Sequence, residues 1–197
     1  MQFDVNTIQI KEQPIRLAYA KEVPVADEPH YWASLWPASL ALAEHVLDNA
    51  ALEGKRVLEV GCGCGLAGIA AGMQGAEVTV TDLETEALAL AQKNWQLNDL
   101  APVAVEPLNW CAPETSSRYD LILGADILYS QQDFPDLVRS MNTLLEDEGA
   151  LVISEPGRPH AHNFFARMLE AGFRCETEHY PVSLHGETFE IGVSELR

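Results

Sequence analysis

The fifteen residues VLEVGCGCGLAGIAA, Val57 to Ala71, constrain this chain more than any other stretch. Strand-forming residues run straight into glycines, and an apolar run with helical spacing follows. This is the signature of a buried strand that turns sharply into a helix whose first N–H groups remain free for a ligand. The glycines fit two registers. Gly63-Cys-Gly65-Leu-Ala-Gly68 spells GxGxxG, the dinucleotide fingerprint, whereas Gly61-Cys-Gly63-Cys-Gly65 spells GxGxG.

The end of the strand separates the two. In the dinucleotide register Gly61 and Cys62 would be the last strand residues, and a glycine weakens a buried strand. If the strand ends at Val60, Glu59 stands at its carboxyl end, one residue before the turn. An acid there would face a pyrophosphate, but it suits a ligand with a cationic amino-acid end and no phosphate. Asp82 closes the next strand, VTVTD, 21 positions after Gly61. A carboxylate at that point accepts hydrogen bonds from ribose hydroxyls, which either ligand class would supply. Gly68, inside the helix, lets it pack closely on the sheet.

The rest of the chain repeats the pattern. Ile8, Ile10, Ile15 and Leu17 alternate around KEQP and predict an edge hairpin. Leu40, Ala43, Val46 and Leu47 predict a helix, with Pro37 in its first turn. Thr85 is placed to cap the helix carrying Leu88, Ala91 and Trp95. VAVEPLNW reads as a third strand, and YDLILGADILY as a strand buried on both faces. Asp133 offers an N-cap for a helix stopped near Gly149. ALVISEP reads as a fifth strand, and a helix closed by Gly172 follows. FRCETEHY and TFEIGVSEL, joined at LHGE, read as a closing strand pair. The expected fold is α/β: a Rossmann-like, doubly wound seven-stranded sheet, mostly parallel with one antiparallel strand and helices on both faces. Residues 1–197 fit one domain, with residues 1–50 forming a hairpin and helix extension packed on it.

Charge narrows the partners. The formal net charge of -18, from 30 acids against 12 bases, disfavours nucleic acid and attracts cationic substrates over long range. Four scattered cysteines and an N-terminus without a basic and apolar leader point to a reducing, cytoplasmic setting. No apolar run approaches the ~20 residues of a membrane-spanning helix. Cys62 and Cys64 lack a second ligand pair at metal-site spacing, and His160 and His162 are more simply a loop and helix entry, so no metal is expected.

Taken together, VLEVGCGCGLAGIAA, VTVTDLE, LNW, ADILY and the upstream WASLWPASLALAEHVL resemble class I S-adenosylmethionine-dependent methyltransferases over about Tyr31 to Glu155. Within that class they are similar to the protein-lysine methyltransferase group that includes the electron-transfer-flavoprotein β-subunit enzymes, with bacterial relatives labelled nicotinamide N-methyltransferase-like. The resemblance implies S-adenosylmethionine as cofactor and S-adenosylhomocysteine as product. It puts Glu59, Gly61, Cys62 and Gly63 around the methionine end, Asp82 on the ribose, and Leu83, Asn109 and Trp110 beside the adenine. Trp36 packs near the cofactor from the N-terminal segment, and Ala125 belongs to the wall formed by the fourth strand. Asp126-Ile-Leu-Tyr129 matches the family's acid-x-x-aromatic motif, which makes Asp126 and Tyr129 the catalytic pair at the substrate end.

The expected activity is N-methylation of a protein lysine. A small-molecule amine or hydroxyl is an alternative acceptor, because fold does not select the acceptor. An NAD-dependent oxidoreductase and a non-catalytic cofactor-binding module are the readings from other classes. The first lacks chain length for a substrate domain. The second is opposed by the intact glycines, Asp82 and the Asp126/Tyr129 pair.

Overall fold

The computed structural model describes residues 3–20, 30–49 and 51–197. Strands β1 (Asp4–Ile10) and β2 (Gln13–Tyr19) form a separate antiparallel hairpin, followed by helix α1 (Pro37–Asn49). The main sheet then begins with β3 (Arg56–Val60), α2 (Leu66–Met73), β4 (Glu77–Asp82), α3 (Thr85–Gln96) and β5 (Ala104–Pro107). It continues through β6 (Tyr119–Ala125), α4 (Phe134–Leu144), β7 (Leu145–Glu155), α5 (Ala161–Glu170), β8 (Cys175–Leu184) and β9 (Glu187–Leu196). The strand order is β5-β4-β3-β6-β7-β9-β8, and β9 runs antiparallel to both of its neighbours. The expected seven-stranded, doubly wound sheet is what forms. Its order reverses between β3 and β6, and ligands bind at such a switch point, beyond the carboxyl ends of the strands.

Side-chain alternation divides the strands between two cores. Val57, Val78, Val80, Leu121, Leu123 and Val152 pack toward α1, α2 and α3. Leu58, Val60, Ile122, Leu151 and Ile153 pack on the other face against Phe134, Leu137 and Met141 of α4 and Phe164 and Met168 of α5. Burial on both faces is why the strands read as near-continuous apolar runs. Glu59 is the exception in β3: it projects to the α2 side, only 3% exposed.

The hairpin is fastened by two asparagines rather than by joining the main sheet. Asn94 Nδ2 donates to the Ala18 carbonyl at 2.9 Å and its Oδ1 accepts the Ala18 N–H at 2.7 Å. Asn98 does the same for Arg16, at 2.8 and 2.9 Å. Residues four apart on a helix are separated by about 6 Å, close to the spacing of residues two apart on a strand, so α3 pairs with the edge of β2 like a neighbouring strand. Asn94 Nδ2 also reaches the Cys64 carbonyl at 2.8 Å, tying hairpin, helix and glycine loop together. Asn94 is fully buried, so Asn94→Ala would strand three backbone groups. Each costs about 1–3 kcal/mol. Urea unfolding is expected to show a loss of several kcal/mol for Asn94→Ala and about 1 kcal/mol or less for the more exposed Asn98→Ala; equal losses would contradict this account of the clamp.

Two local expectations are corrected. The helix before β7 ends at Leu144, not near Gly149, because Leu145 already has extended dihedrals and pairs with Tyr119. Gly149 lies in the irregular part of β7, where a Cβ would sit 3.0 Å from the Tyr119 and Glu146 carbonyl oxygens. Its glycine serves close backbone approach. Thr85 is already the first helical residue and does not cap α3; Asp133 does stand at the N-cap of α4, as expected, but with helical dihedrals and no capping side-chain bond. Gly172 does close α5, at φ +100°, and Gly75 closes α2 in the same way, at +82°. The β8–β9 turn, His185-Gly186, has positive φ at both residues, as a two-residue hairpin needs.

Candidate active site

Strand β3 ends at Val60, which selects the GxGxG register. Gly61, Gly63 and Gly65 all have positive φ. The loop is held from both sides: the Cys62 N–H donates to the Thr81 carbonyl at 2.9 Å, and the Gly63 N–H donates to Asp82 Oδ2 at 3.0 Å. A Cβ on Gly61 would lie 2.7 Å from the Trp110 ring, and one on Gly63 would lie 3.1 Å from the Trp32 carbonyl oxygen. Bare backbone is therefore required where the loop meets both tryptophans. The Cys62 side chain is buried, so only its backbone is available to a ligand.

Glu59 lies behind the loop against the first turn of α2. The Ala67 and Gly68 amides face its carboxyl group and favour the ionised form, yet Oε2 has no hydrogen-bond partner. Burial dominates, with the nearby Asp82 carboxylate acting in the same direction, and pushes Glu59 up to about 8. A Cβ on Gly68 would lie 2.5 Å from Oε2 and 2.9 Å from Val80. Gly68 thus makes room for the Glu59 side chain as well as for the sheet.

Asp82 is fixed by the loop through Oδ2 and accepts the Glu84 N–H at Oδ1, 3.1 Å away. Leu83, 66% exposed, follows it at the rim. Leu83 and Asn109 share a cavity of about 330 Å³ with Leu58, Thr81, Pro107 and Tyr119. Asn109 Oδ1 accepts the Cys111 N–H at 3.0 Å, an Asx turn that shapes the segment carrying Trp110. The Trp110 ring covers Gly61 and meets Tyr129 edge-on at 6.0 Å. Tyr129 is 56% exposed, and partial burial together with the carboxylates of Asp82, Asp133 and Asp126 holds its hydroxyl above the usual range.

A second cavity of about 320 Å³ is bounded by Leu35, Trp36, Asp126, Pro156, Arg158 and Phe189 among others. Ala125 ends β6, and Asp126 follows with φ +55°, a left-handed conformation that aspartate tolerates better than most residues. Its N–H donates to the Ser154 carbonyl at 2.8 Å, and the Ser154 hydroxyl donates to the Ala38 carbonyl at 2.7 Å, so α1 and β7 together set the start of this turn. The Asp126 side chain is 12% exposed and ion-paired with Arg158. Burial raises its pKa above the usual carboxylate value, against the opposing pull of Arg158.

The expected site residues thus fall into two groups: the glycines with Glu59, Asp82, Leu83, Asn109, Trp110 and Tyr129, whose ring lies against Trp110, and Ala125 and Asp126 with Trp36; Tyr129 does not line the Asp126 cavity. Trp36 shares the Asp126 cavity, while the tryptophan whose backbone abuts Gly63 is Trp32.

Comparison with known proteins decides the family. A family model described as lysine methyltransferase matches residues 28–171, most of the chain. The chain belongs to the lysine methyltransferase family. It is 35% identical over 153 residues to protein N-lysine methyltransferase METTL21A of Xenopus tropicalis, covering 75% of this chain and 71% of that one. It is 37% identical over 131 residues to the electron transfer flavoprotein beta subunit lysine methyltransferase of Danio rerio, covering 65% of this chain and 50% of that one. The methyltransferase thus spans half the length of the flavoprotein-directed relative. Among solved structures, ribosomal protein L11 methylase of Lactobacillus delbrueckii aligns with a TM-score of 0.61 at 23% identity, over 80% of this chain and 77% of that one. Magnesium protoporphyrin IX methyltransferase of Synechocystis, with bound S-adenosylmethionine, aligns at 0.61 and 16% over 81% and 77%. These two likenesses show the shared fold.

This chain is an S-adenosylmethionine-dependent methyltransferase, and its residues suit that cofactor. The glycine loop is backed by the carboxyl groups of Glu59 and Asp82; burial and the Asp82 charge hold Glu59 protonated in the free chain, and a second acid there suits a cation, not a pyrophosphate. Among the described residues no cluster of His, Cys, Asp and Glu is arranged to hold a metal ion. The His160 ring nitrogen lies 3.0 Å from the Leu128 carbonyl, a bond that makes this nitrogen a donor. Arg158, Ser154 and Asn94 escaped the sequence reading. For Arg158 there was a signal: a cation just after the carboxyl end of a central strand, where ligand-binding residues gather.

Proposed function

We propose that this methyltransferase methylates the ε-amine of a lysine in a protein, using Asp126 and Tyr129 at the acceptor end. The supporting observation is a largely buried carboxylate beside a cavity whose walls include Leu35, Trp36, Pro156 and Phe189. Such walls suit the methylene stem of lysine, and the acid suits its nitrogen.

The cofactor supplies an electrophilic methyl carbon on a sulfonium. Glu59, Gly61, Cys62 and Gly63 would hold its amino-acid end, Asp82 its ribose, and Leu83, Asn109 and Trp110 its adenine, with Trp36 and Ala125 lining the side toward the acceptor. The protein's task is to aim an amine at that carbon, and such positioning supplies up to ~7–11 kcal/mol of barrier reduction. A lysine with a free pKa of about 10.4 must first lose a proton, which desolvation in the apolar cavity promotes. Asp126 binds and orients the nitrogen, and Tyr129 offers its hydroxyl or ring face alongside.

The same reading assigns residues 1–197 to one domain, with residues 1–50 as an extension on it, working in the cytoplasm on protein rather than nucleic acid. Four free cysteines fit a reducing compartment, and the charge of -18 favours basic protein surfaces. No described helix is long and apolar enough to cross a membrane. Incubation of the enzyme and methyl-labelled S-adenosylmethionine with a cell lysate, fractionated by size, tests the acceptor class. Label in a discrete protein band is expected, and label confined to small molecules would reject a protein substrate.

A further inference from the structure

Arg158 supports an inference that rests on the lysine reading and deepens it. Its Nε and Nη2 both donate to one oxygen of Asp126, Oδ1, at 3.0 and 2.6 Å. Among the described residues, Oδ2 accepts no such bond from Arg158. The arginine is itself held in place: Glu155 Oε2 accepts the N–H groups of Gly157 and Arg158, both at 2.8 Å. Asp126 is fixed at its backbone by Ser154. Arg158 and Asp126 therefore meet as two anchored groups at the cavity wall.

We propose that Arg158 is the positioning residue of the acceptor site: it neutralises Asp126 and occupies Oδ1, leaving Oδ2 to accept a hydrogen bond from a primary amine on an unbranched apolar stem without retaining that amine's proton. The physical problem it solves is specific. A lone carboxylate within hydrogen-bonding distance would raise an ammonium's pKa by about 1–3 units and keep lysine unreactive. A carboxylate paired with a permanent guanidinium keeps its lone pairs and loses most of its net field. Among the described residues, the other charged or titratable groups around Asp126 are Glu155, at the start of the Arg158 loop; His185 and Glu187, across the cavity on the β8–β9 turn; and Tyr129.

The test is a ¹³C carboxyl NMR titration of the full chain with S-adenosylhomocysteine present, the Asp126 signal being the one lost in Asp126→Asn. In Arg158→Gln, and in Arg158→Met, which keeps the apolar stem, the Asp126 midpoint is expected to rise by about 1–3 pH units. Arg158→Lys retains the charge and is expected to restore most of the shift. With n-butylammonium as probe, the wild-type Asp126 signal is expected to move, and the neutral variants are expected to bind the cation more tightly at pH 7 while the pH limb of methylation moves to alkaline values. A structural role alone would not produce tighter cation binding with slower, alkaline-shifted turnover. An unmoved Asp126 midpoint in both neutral variants overturns the positioning role and leaves the lysine reading intact. A wild-type Asp126 signal indifferent to n-butylammonium overturns the amine site itself, and with it the lysine reading.

Discussion

Replacing Asp126 with asparagine is expected to lower kcat by about 10²–10³-fold, the scale set by losing one pre-aimed polar contact in a reaction governed by positioning. Affinity for S-adenosylhomocysteine is expected to change by less than about threefold, because Asp126 lines a cavity with Trp36 and Pro156 that no glycine of the loop borders. Asparagine keeps the shape and one oxygen for Arg158, so the fold around the turn should survive. It loses the charge that offsets Arg158, and the remaining guanidinium would repel an incoming ammonium at close range. Breaking a partly buried pair by removing one partner is also destabilising, which makes Asp126→Ala the more disruptive change. Calorimetry with S-adenosylhomocysteine and steady-state kinetics on the labelled acceptor check the two halves separately. An equal loss in both would move Asp126 into the cofactor site.

Glu59→Gln is expected to change how stability depends on pH. The folded chain holds Glu59 at about 8, whereas the ordinary glutamate value of 4.5 applies once the chain unfolds. Between those values the native state retains a proton that the unfolded state has released. Stability therefore falls as pH rises through that window, by at most ~1.4 kcal/mol per pH unit for this one group. Below pH 4.5 both states are protonated and the effect vanishes; above 8 it is complete. Glutamine has no proton to lose, so urea unfolding at pH 5, 6.5 and 8 is expected to show a widening advantage of the variant over wild type, reaching a few kcal/mol. A constant difference across the three pH values would mean that Glu59 is ionised in the free protein. The position matters because its unpartnered Oε2 sits behind the loop proposed above to hold the cofactor's cationic end.

What could be read in advance was local. The end of β3 at Val60 follows from the cost of glycine in a buried strand, and it settled the choice between two overlapping glycine motifs. The apolar run of β6 announced burial on both faces, and Gly172 announced a helix end. What could not be read depends on contacts between distant parts of the chain. Asn94 looked like one polar position on an amphipathic helix, and its value lies in three backbone bonds to Ala18 and Cys64, 76 and 30 residues away. Arg158 is defined by a carboxylate 32 residues earlier. Gly149 has a glycine's freedom for a reason opposite to the one expected: it lets two strand backbones approach where a helix stop was anticipated. Trp32 and Trp36 stand four residues apart and face different places: Trp32, inside the 3-10 turn Tyr31–Ala33, abuts Gly63, and Trp36, beyond that turn, lines the Asp126 cavity.

The central claim is that the acceptor is a lysine nitrogen aimed by Asp126. The most direct measurement is acid hydrolysis of the labelled protein band followed by amino-acid analysis, run in parallel with wild type and Asp126→Asn. The account predicts label in ε-N-methylated lysine for the wild type and its near disappearance with Asp126→Asn; label in any other amino acid, or undiminished methyllysine from the variant, would contradict it.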